Sequence, residues 1–144
     1  MEILRKMKTF NPKFEDMKII FISYIRSILE QSCQVWHSSL TLENENELER
    51  VQKAALKIIL GNKYITYENA MDRLNLESLK IRRENLCLRF AEKCTENPKT
   101  KHMFPLKKKT ILNKNRNKFK VQFARTTRLQ KSSIPYLQKI LNKS

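Results

Sequence analysis

The segment from Leu48 to Gly61 shows the clearest helical pattern of apolar and polar positions in the chain. Its apolar residues recur at spacings of three and four, which places them on one face of a helix: Leu48, Val51, Ala55, Ile58 and Ile59. Asn44 is the predicted N-cap, and Gly61 stands where helices commonly end in a left-handed turn. Leu56 and Leu60 lie outside this face, so we predict a second packing partner for the helix.

The same spacing predicts a long helix before this segment. It begins at Asn11-Pro12, because asparagine caps helix starts and proline fits the first turn, and it runs to about Trp36. Apolar side chains cover more than half of its surface, so we expect packing partners on two sides. The residues of this apolar surface are Phe14, Met17, Ile20, Phe21, Tyr24, Ile25, Ile28 and Leu29.

Two further helices are predicted after the central segment. Thr66 is the predicted cap of a short helix that Asn75 terminates. A longer helix runs from about Glu77 to Asn97 and stops at Pro98, because proline lacks the backbone N–H that a helix needs. The predicted buried face of this fourth helix consists of Leu79, Leu86, Phe90 and Cys94.

These elements predict an all-α fold, a small bundle of about four helices. The chain has one glycine and four prolines, which argues against a fold rich in strands and tight turns. We predict two parts. Residues 1–98 form the helical core, and residues 99–144 form a basic, partly irregular C-terminal arm that ends in a short helix capped by Ser133.

Charge is distributed unevenly between these two parts. The net charge is +16, and all 14 acidic residues lie at or before Glu96. From Lys99 onward the chain has 14 Lys and Arg residues and no acidic residue. Such a basic block indicates a polyanionic partner, with nucleic acid first and an acidic membrane surface second. The alternative is a solvated tail that binds no ligand.

We predict that nucleic acid binds to the arm, with help from two arginines of the fourth helix. Cations neutralise phosphates, and aromatic rings placed between them can stack on unpaired bases. The predicted phosphate-binding residues are Arg82, Arg83, Lys107, Lys108, Lys109, Lys114, Arg116, Lys118, Lys120, Arg125, Arg128 and Lys131. The candidate rings are Phe119, Phe123 and Tyr136, which could instead pack the arm onto the core.

Catalytic and metal sites have little support in the sequence. The acidic residues between Glu43 and Glu49 cluster at a helix start, where the helix dipole stabilises them without any chemical role. No carboxylate pair lies isolated among apolar residues, as acid–base catalysis would require. Cys33 and His37 are four residues apart, but no Cys-x₂-Cys or His-x₃-His spacing typical of zinc sites occurs. We therefore predict no metal and no cofactor.

The cysteines and the apolar runs indicate the compartment. An odd count of three cysteines, without a secretory signal, is typical of a reducing environment. The longest apolar run, Ile19–Ile22, is too short to cross a bilayer. We therefore expect an intracellular protein, nuclear or cytoplasmic, without a membrane partner.

Several segments form an ordered series that covers nearly the whole chain. They are Phe21–Glu30, Val35–Leu40, Leu48–Ala55, Tyr64 with Tyr67, Asn75–Leu79 with Arg82-Arg83, Phe90-Ala91, and Ser133–Leu137 followed by Leu141-Asn142. Together they resemble the C-terminal region of non-LTR retrotransposon reverse transcriptases, among which the jockey- and CR1-like elements are most similar. The resemblance implies a helical thumb and its extension, which follow the polymerase palm and grip the template–primer duplex.

The chain departs from this family at the catalytic residues. The family's polymerase carries metal-binding aspartates, including a Tyr/Phe-Ala-Asp-Asp motif, whereas this chain has Asp16 and Asp72 and no Asp-Asp pair. It also lacks an endonuclease domain and a Cys/His zinc knuckle. No catalytic residue of the family can be placed on this sequence. The resemblance therefore implies a non-catalytic fragment whose parent polyprotein is an RNA-directed DNA polymerase.

A helical protein-interaction module is the alternative function. The long first helix, predicted to be apolar on two sides, would then dock onto another protein. The resemblance suggests a polymerase palm domain as that partner.

Overall fold

The computed structural model describes residues 1–107 and 118–143. In chain order its helices are α1 (Glu2–Lys8), α2 (Phe14–Ile20), α3 (Ser27–Glu30), α4 (Cys33–Trp36), α5 (Leu42–Leu60), α6 (Tyr67–Leu74), α7 (Leu79–Glu96), α8 (Thr127–Gln130) and α9 (Ser133–Leu141). A π-helical segment, Phe21–Arg26, joins α2 to α3. Within the described ranges, pairing between extended segments is confined to one antiparallel bridge, Leu106 with Phe119. The predicted all-α fold is confirmed.

Contacts divide the chain into two compact units. The first unit comprises Met1–Gln31 and Thr41–Arg82, and the second comprises Ser32–Leu40 and Arg83–Ser144. This division differs from the predicted boundary after residue 98, because it falls inside α7 and assigns most of that helix to the same unit as the basic arm. No helix in the described part of the chain is both long and apolar enough to cross a membrane.

Helix α5 provides much of the core of the first unit. Ala55 and Ile59, from the predicted apolar face, are buried. Leu56 and Leu60 are buried as well, which confirms that the helix packs on more than one side. The rest of this core comes from α1, α2, the π-helical segment and α6: Leu4, Met17, Phe21, Ala70 and Leu74.

The ends of α5 confirm one predicted capping residue and correct the other. Gly61 ends the helix at a φ of 54°, which glycine adopts without strain. A Cβ atom at this position would lie 2.6 Å from Nζ of Lys8. The start is Thr41 rather than Asn44, because the Thr41 hydroxyl accepts a hydrogen bond of 3.2 Å from the Asn44 backbone N–H.

The long helix predicted before α5 is divided into shorter ones. It starts after Lys13 rather than at Asn11, which has a φ of 50° and cannot begin a helix. It ends at Glu30, because the chain turns through Ser32 at a φ of 52° before α4 begins. The predicted burial on two sides is also wrong, since Tyr24 is 62% exposed and Ile28 is 70% exposed.

Polar side chains of the first unit converge on one carboxylate and on one carbonyl. Glu30 accepts hydrogen bonds from Nε of Arg26 (2.9 Å) and from Nε of Arg82 (2.8 Å). The Glu77 carbonyl accepts from Arg26 Nη2 (3.0 Å) and from Gln52 Nε2 (3.1 Å). These contacts join three elements: α5, the start of α7, and the helix that ends at Glu30. Those made by the arginines are charge-assisted, and such hydrogen bonds are stronger than bonds between neutral groups.

The core of the second unit combines α4 and α7 with residues of the basic arm. Cys33, Cys87, Ala91 and Cys94 pack with Phe104, Phe119 and Leu137 of the arm. Phe90, predicted on the buried face of α7, is exposed, and Leu86 is half-buried against this core. The described part of the arm is therefore a packed component of this unit.

Candidate nucleic-acid interface

An extended segment from Lys118 to Gln122 carries the candidate interface, and α9 holds it along one edge. Phe119 donates its backbone N–H to Oδ1 of Asn142 (2.9 Å), and its carbonyl accepts from Nδ2 of Asn142 (3.0 Å). Gln122 donates its N–H to Oε1 of Gln138 (2.6 Å). Gln138 and Asn142 lie four residues apart, which brings both amides to the same face of α9.

The other edge of this segment pairs with the chain just after Phe104. The Lys107 N–H donates to the Lys118 carbonyl (3.0 Å), and the Lys120 N–H donates to the Pro105 carbonyl (2.8 Å). Backbone hydrogen bonds therefore hold the segment on both edges, which fixes the direction of the side chains. Because side chains alternate along an extended chain, Phe119 points into the core while Lys118 and Lys120 point to solvent.

A shallow apolar pocket of about 380 Å³ lies beside Lys120. Its residues come from the turn before Pro105, from the extended segment and from α9: His102, Met103, Pro105, Lys120, Gln122, Phe123, Ile134 and Gln138. Phe123 is 84% exposed, which makes it the most exposed large hydrophobic residue in the described part of the chain. Apolar walls beside a cation are the composition expected of a pocket for a charged molecule with a flat apolar part.

The predicted cations differ in their exposure and in whether the structure describes them. Those that the structure shows to be exposed are Lys107, Lys118, Lys120, Arg125, Arg128 and Lys131. Four others lie outside the described residues: Lys108, Lys109, Lys114 and Arg116. Arg82 is partly exposed, with Nε bonded to both carboxylate oxygens of Glu30. Its charge is therefore partly neutralised by a residue of its own unit.

Arg83 is wrongly predicted as a phosphate-binding residue, because its side chain is fully buried. Its Nε lies 3.4 Å from Nδ1 of His37, and its guanidinium carbon lies 5.8 Å from the centre of the Trp36 ring. Neither terminal nitrogen, Nη1 or Nη2, has a hydrogen-bond partner among the described residues. A buried guanidinium with unpaired donors is costly, and it cannot reach a phosphate on the surface.

The Cys87 thiol, one helical turn after Arg83, is a poor nucleophile. Cys87 donates weakly from Sγ to the Cys33 carbonyl, at 3.9 Å. Burial, followed by the effect of Cys33, raises the pKa of the Cys87 thiol to about 12. Thiolate is the reactive form, so Cys87 stays protonated and unreactive near neutral pH. Across the described ranges, no group of three or more His, Cys, Asp or Glu side chains is arranged to hold a metal ion.

The predicted rings split between packing and exposure. Phe119 is buried in the core of the second unit. Tyr136 is half-buried, with its ring edge-on to His37 at 5.5 Å between ring centres. Phe123 alone among the three candidate rings presents its faces to solvent.

Sequence reasoning missed the two amides that hold the interface. Gln138 is buried and also donates from Nε2 to the Met103 carbonyl at 2.6 Å. The sequence does contain a signal for these amides. Gln138 lies in the short, largely apolar helix α9, and Asn142, four residues later, is its C-cap, a spacing that places two polar residues on one side of the helix.

The two units carry the same net charges as the two predicted parts of the chain, +2 and +14. The second unit has 17 Lys and Arg residues against three Glu, a net charge of +14. The first unit has 13 basic and 11 acidic residues, a net charge of +2. A field of this strength attracts polyanions from a distance of about 10 Å at 0.1 M salt.

Comparisons with protein-family models, with curated proteins and with solved structures found no match to this chain. The resemblance to retrotransposon reverse transcriptases therefore stays a prediction from the sequence.

Substituting Arg83 by methionine is expected to raise the free energy of unfolding of the second unit by about 1 to 3 kcal/mol. The substitution removes two buried unpaired donors and keeps a side chain of similar length in the core. Urea denaturation followed by the fluorescence of Trp36, the chain's one tryptophan, measures this change next to the substituted site.

Arg89→Met is the matched control for this variant, because Arg89 lies in the same helix but is exposed, and it should change stability by less than about 0.5 kcal/mol. A clear loss of stability in Arg83→Met would contradict this view of Arg83.

Proposed function

We propose that this chain binds nucleic acid through the basic surface of its second unit, as a non-catalytic, thumb-like fragment of a retrotransposon RNA-directed DNA polymerase. The observation that carries the proposal is the extended segment from Lys118 to Gln122. Hydrogen bonds on both edges hold it, and its lysines point outward next to an exposed phenylalanine. The resemblance in the sequence supports the identity of the parent protein.

The mechanism is phosphate neutralisation by lysine and arginine. Contacts to the phosphate backbone position a nucleic acid without reading its sequence, so binding is expected to be non-specific. The net charge of +14 on the second unit supplies the long-range attraction. Lys118 and Lys120 supply contacts at fixed positions, because the segment that carries them is bonded to Gln138 and Asn142, and Arg125 adds an exposed cation three residues after this segment.

A second candidate function is protein interaction through the first unit. Tyr24 and Ile28 lie four residues apart, one helical turn, and both are exposed. A second copy of this chain is the partner we consider, since the same apolar residues on both copies would form a symmetric contact.

One sedimentation-velocity experiment separates the two functions. The protein is mixed at 50 mM salt with a fluorescent oligonucleotide of about 20 nucleotides and arbitrary sequence, and it is also sedimented alone. Nucleic-acid binding predicts that the label sediments with the protein, to a similar extent for an unrelated sequence. A label that stays free at 50 mM salt would contradict the main proposal. A concentration-dependent dimer without oligonucleotide, lost in Tyr24→Ser/Ile28→Ser, would support the second candidate.

A further inference from the structure

We infer that the pocket beside Phe123 takes an unpaired nucleobase, so that the second unit prefers single-stranded over double-stranded nucleic acid. This inference rests on the proposed function and specifies the class of nucleic acid that the same surface binds. Three features of the pocket carry it: an exposed ring, preformed walls and neighbouring cations.

The exposed ring is the first feature. Burial of a phenylalanine side chain stabilises a folded protein, and Phe123 forgoes most of this stabilisation at 84% exposure. Phe119, the other aromatic residue of the stretch from Lys118 to Phe123, is instead packed in the core. A ring that stands in solvent among cations is the arrangement on which single-stranded nucleic-acid bases stack.

The walls of the pocket are held in place by one buried side chain. Gln138 accepts from the Gln122 N–H on one side and donates to the Met103 carbonyl on the other, each at 2.6 Å. It also forms part of the pocket lining. Because both walls are bonded to the same amide, the pocket exists before any ligand arrives, which lowers the entropic cost of binding.

Neighbouring cations define what the pocket can hold. Lys120 lines the pocket, Lys118 lies two residues before Lys120, and Arg125 lies two residues after Phe123; all three are exposed. A neutral apolar ligand would gain nothing from these charges, whereas a base joined to phosphates satisfies both the ring and the cations. In a duplex the faces of the bases are stacked on each other, so an unpaired base is the form that can enter.

The test compares Phe123→Ala with the unchanged protein on two ligands of equal phosphate count, an oligothymidine and a DNA hairpin whose loop is a linker without bases, by fluorescence anisotropy at 50 mM salt. We expect the unchanged protein to bind the oligothymidine more tightly than the hairpin. Phe123→Ala should weaken oligothymidine binding by about 5- to 150-fold and change hairpin binding less than about twofold. Phe123→Tyr should restore the oligothymidine affinity, because a tyrosine ring also stacks on bases.

Phe10→Ala is the matched control, since Phe10 is an equally exposed phenylalanine in the weakly charged first unit. It should leave both affinities unchanged. Equal loss on both ligands, or no loss on the oligothymidine, would overturn the inference and leave the proposed function in place. Failure of the unchanged protein to bind either ligand would overturn the proposed function itself. Trp36 fluorescence verifies that each variant is folded.

Discussion

Raising the salt concentration from 50 to 200 mM is expected to weaken nucleic-acid binding by about 300-fold on single strands and by roughly a thousandfold on duplex. Each phosphate contact releases condensed counterions, so the affinity falls with a slope proportional to the number of contacts. We take this number as about six, because six predicted cations are exposed in the described part of the second unit: Lys107, Lys118, Lys120, Arg125, Arg128 and Lys131. Fluorescence anisotropy across this salt range measures the slope.

A neutral osmolyte at matched osmolality is the control for this titration, because it changes water activity without replacing counterions. Its effect on affinity should be small. A decrease of less than about tenfold across the salt range would contradict phosphate neutralisation as the source of binding.

Replacing Lys118, Lys120 and Arg125 together with glutamine should weaken single-strand binding by about a hundredfold at roughly 100 mM salt. Glutamine keeps a polar side chain of comparable length and removes the charge. All three side chains are exposed, and the hydrogen bonds in this region use backbone atoms of Lys118 and Lys120, so the fold should be retained. Circular dichroism and Trp36 fluorescence test that retention.

A triple variant in the first unit gives a control with the same change of net charge. Lys6, Lys13 and Arg50 are exposed, and they lie in the unit with a net charge of only +2. Their replacement with glutamine should cost less than about threefold in affinity. Equal losses from both triple variants would mean that net charge, and not the interface beside Phe123, determines binding.

Sequence patterns predicted the ends of helices well where residues close together in the sequence determine the conformation. Thr66 caps α6 by accepting the Asn69 N–H, and Asn75 ends this helix in the left-handed region, both as predicted. Gly61 ends α5 for the same kind of reason. Each of these features depends on side-chain and backbone groups within a few residues of one another, which sequence patterns report directly.

Burial was harder to predict, because it depends on contacts between distant segments. Arg82 and Arg83 are neighbours in sequence, yet a rotation of about 100° per residue in a helix turns one toward Glu30 and solvent and the other into a core. The same holds for Phe119 and Phe123, which share a face by alternation. Phe119 is bonded to Asn142 through its backbone and is buried, whereas Phe123, which precedes the buried Ala124, is 84% exposed.

The sequence predicted the cationic residues of the candidate site but not the contacts that position them. The abundance of cations after Glu96 is a property of composition and needed no structure. The packing of the arm with α4 and α7 depends on contacts between distant parts of the chain. So do the two hydrogen bonds of Gln138, whose partners lie 16 and 35 residues away in the sequence. No periodicity within a single element carries that information.

The most direct test of nucleic-acid binding at this interface is the salt slope of the Lys118/Lys120/Arg125 glutamine variant compared with that of the unchanged protein. Both are measured on the same oligothymidine by fluorescence anisotropy between 50 and 200 mM salt. If these three side chains contact phosphates, the slope of log affinity against log salt should become shallower by about 2. An unchanged slope in a folded variant would contradict the account.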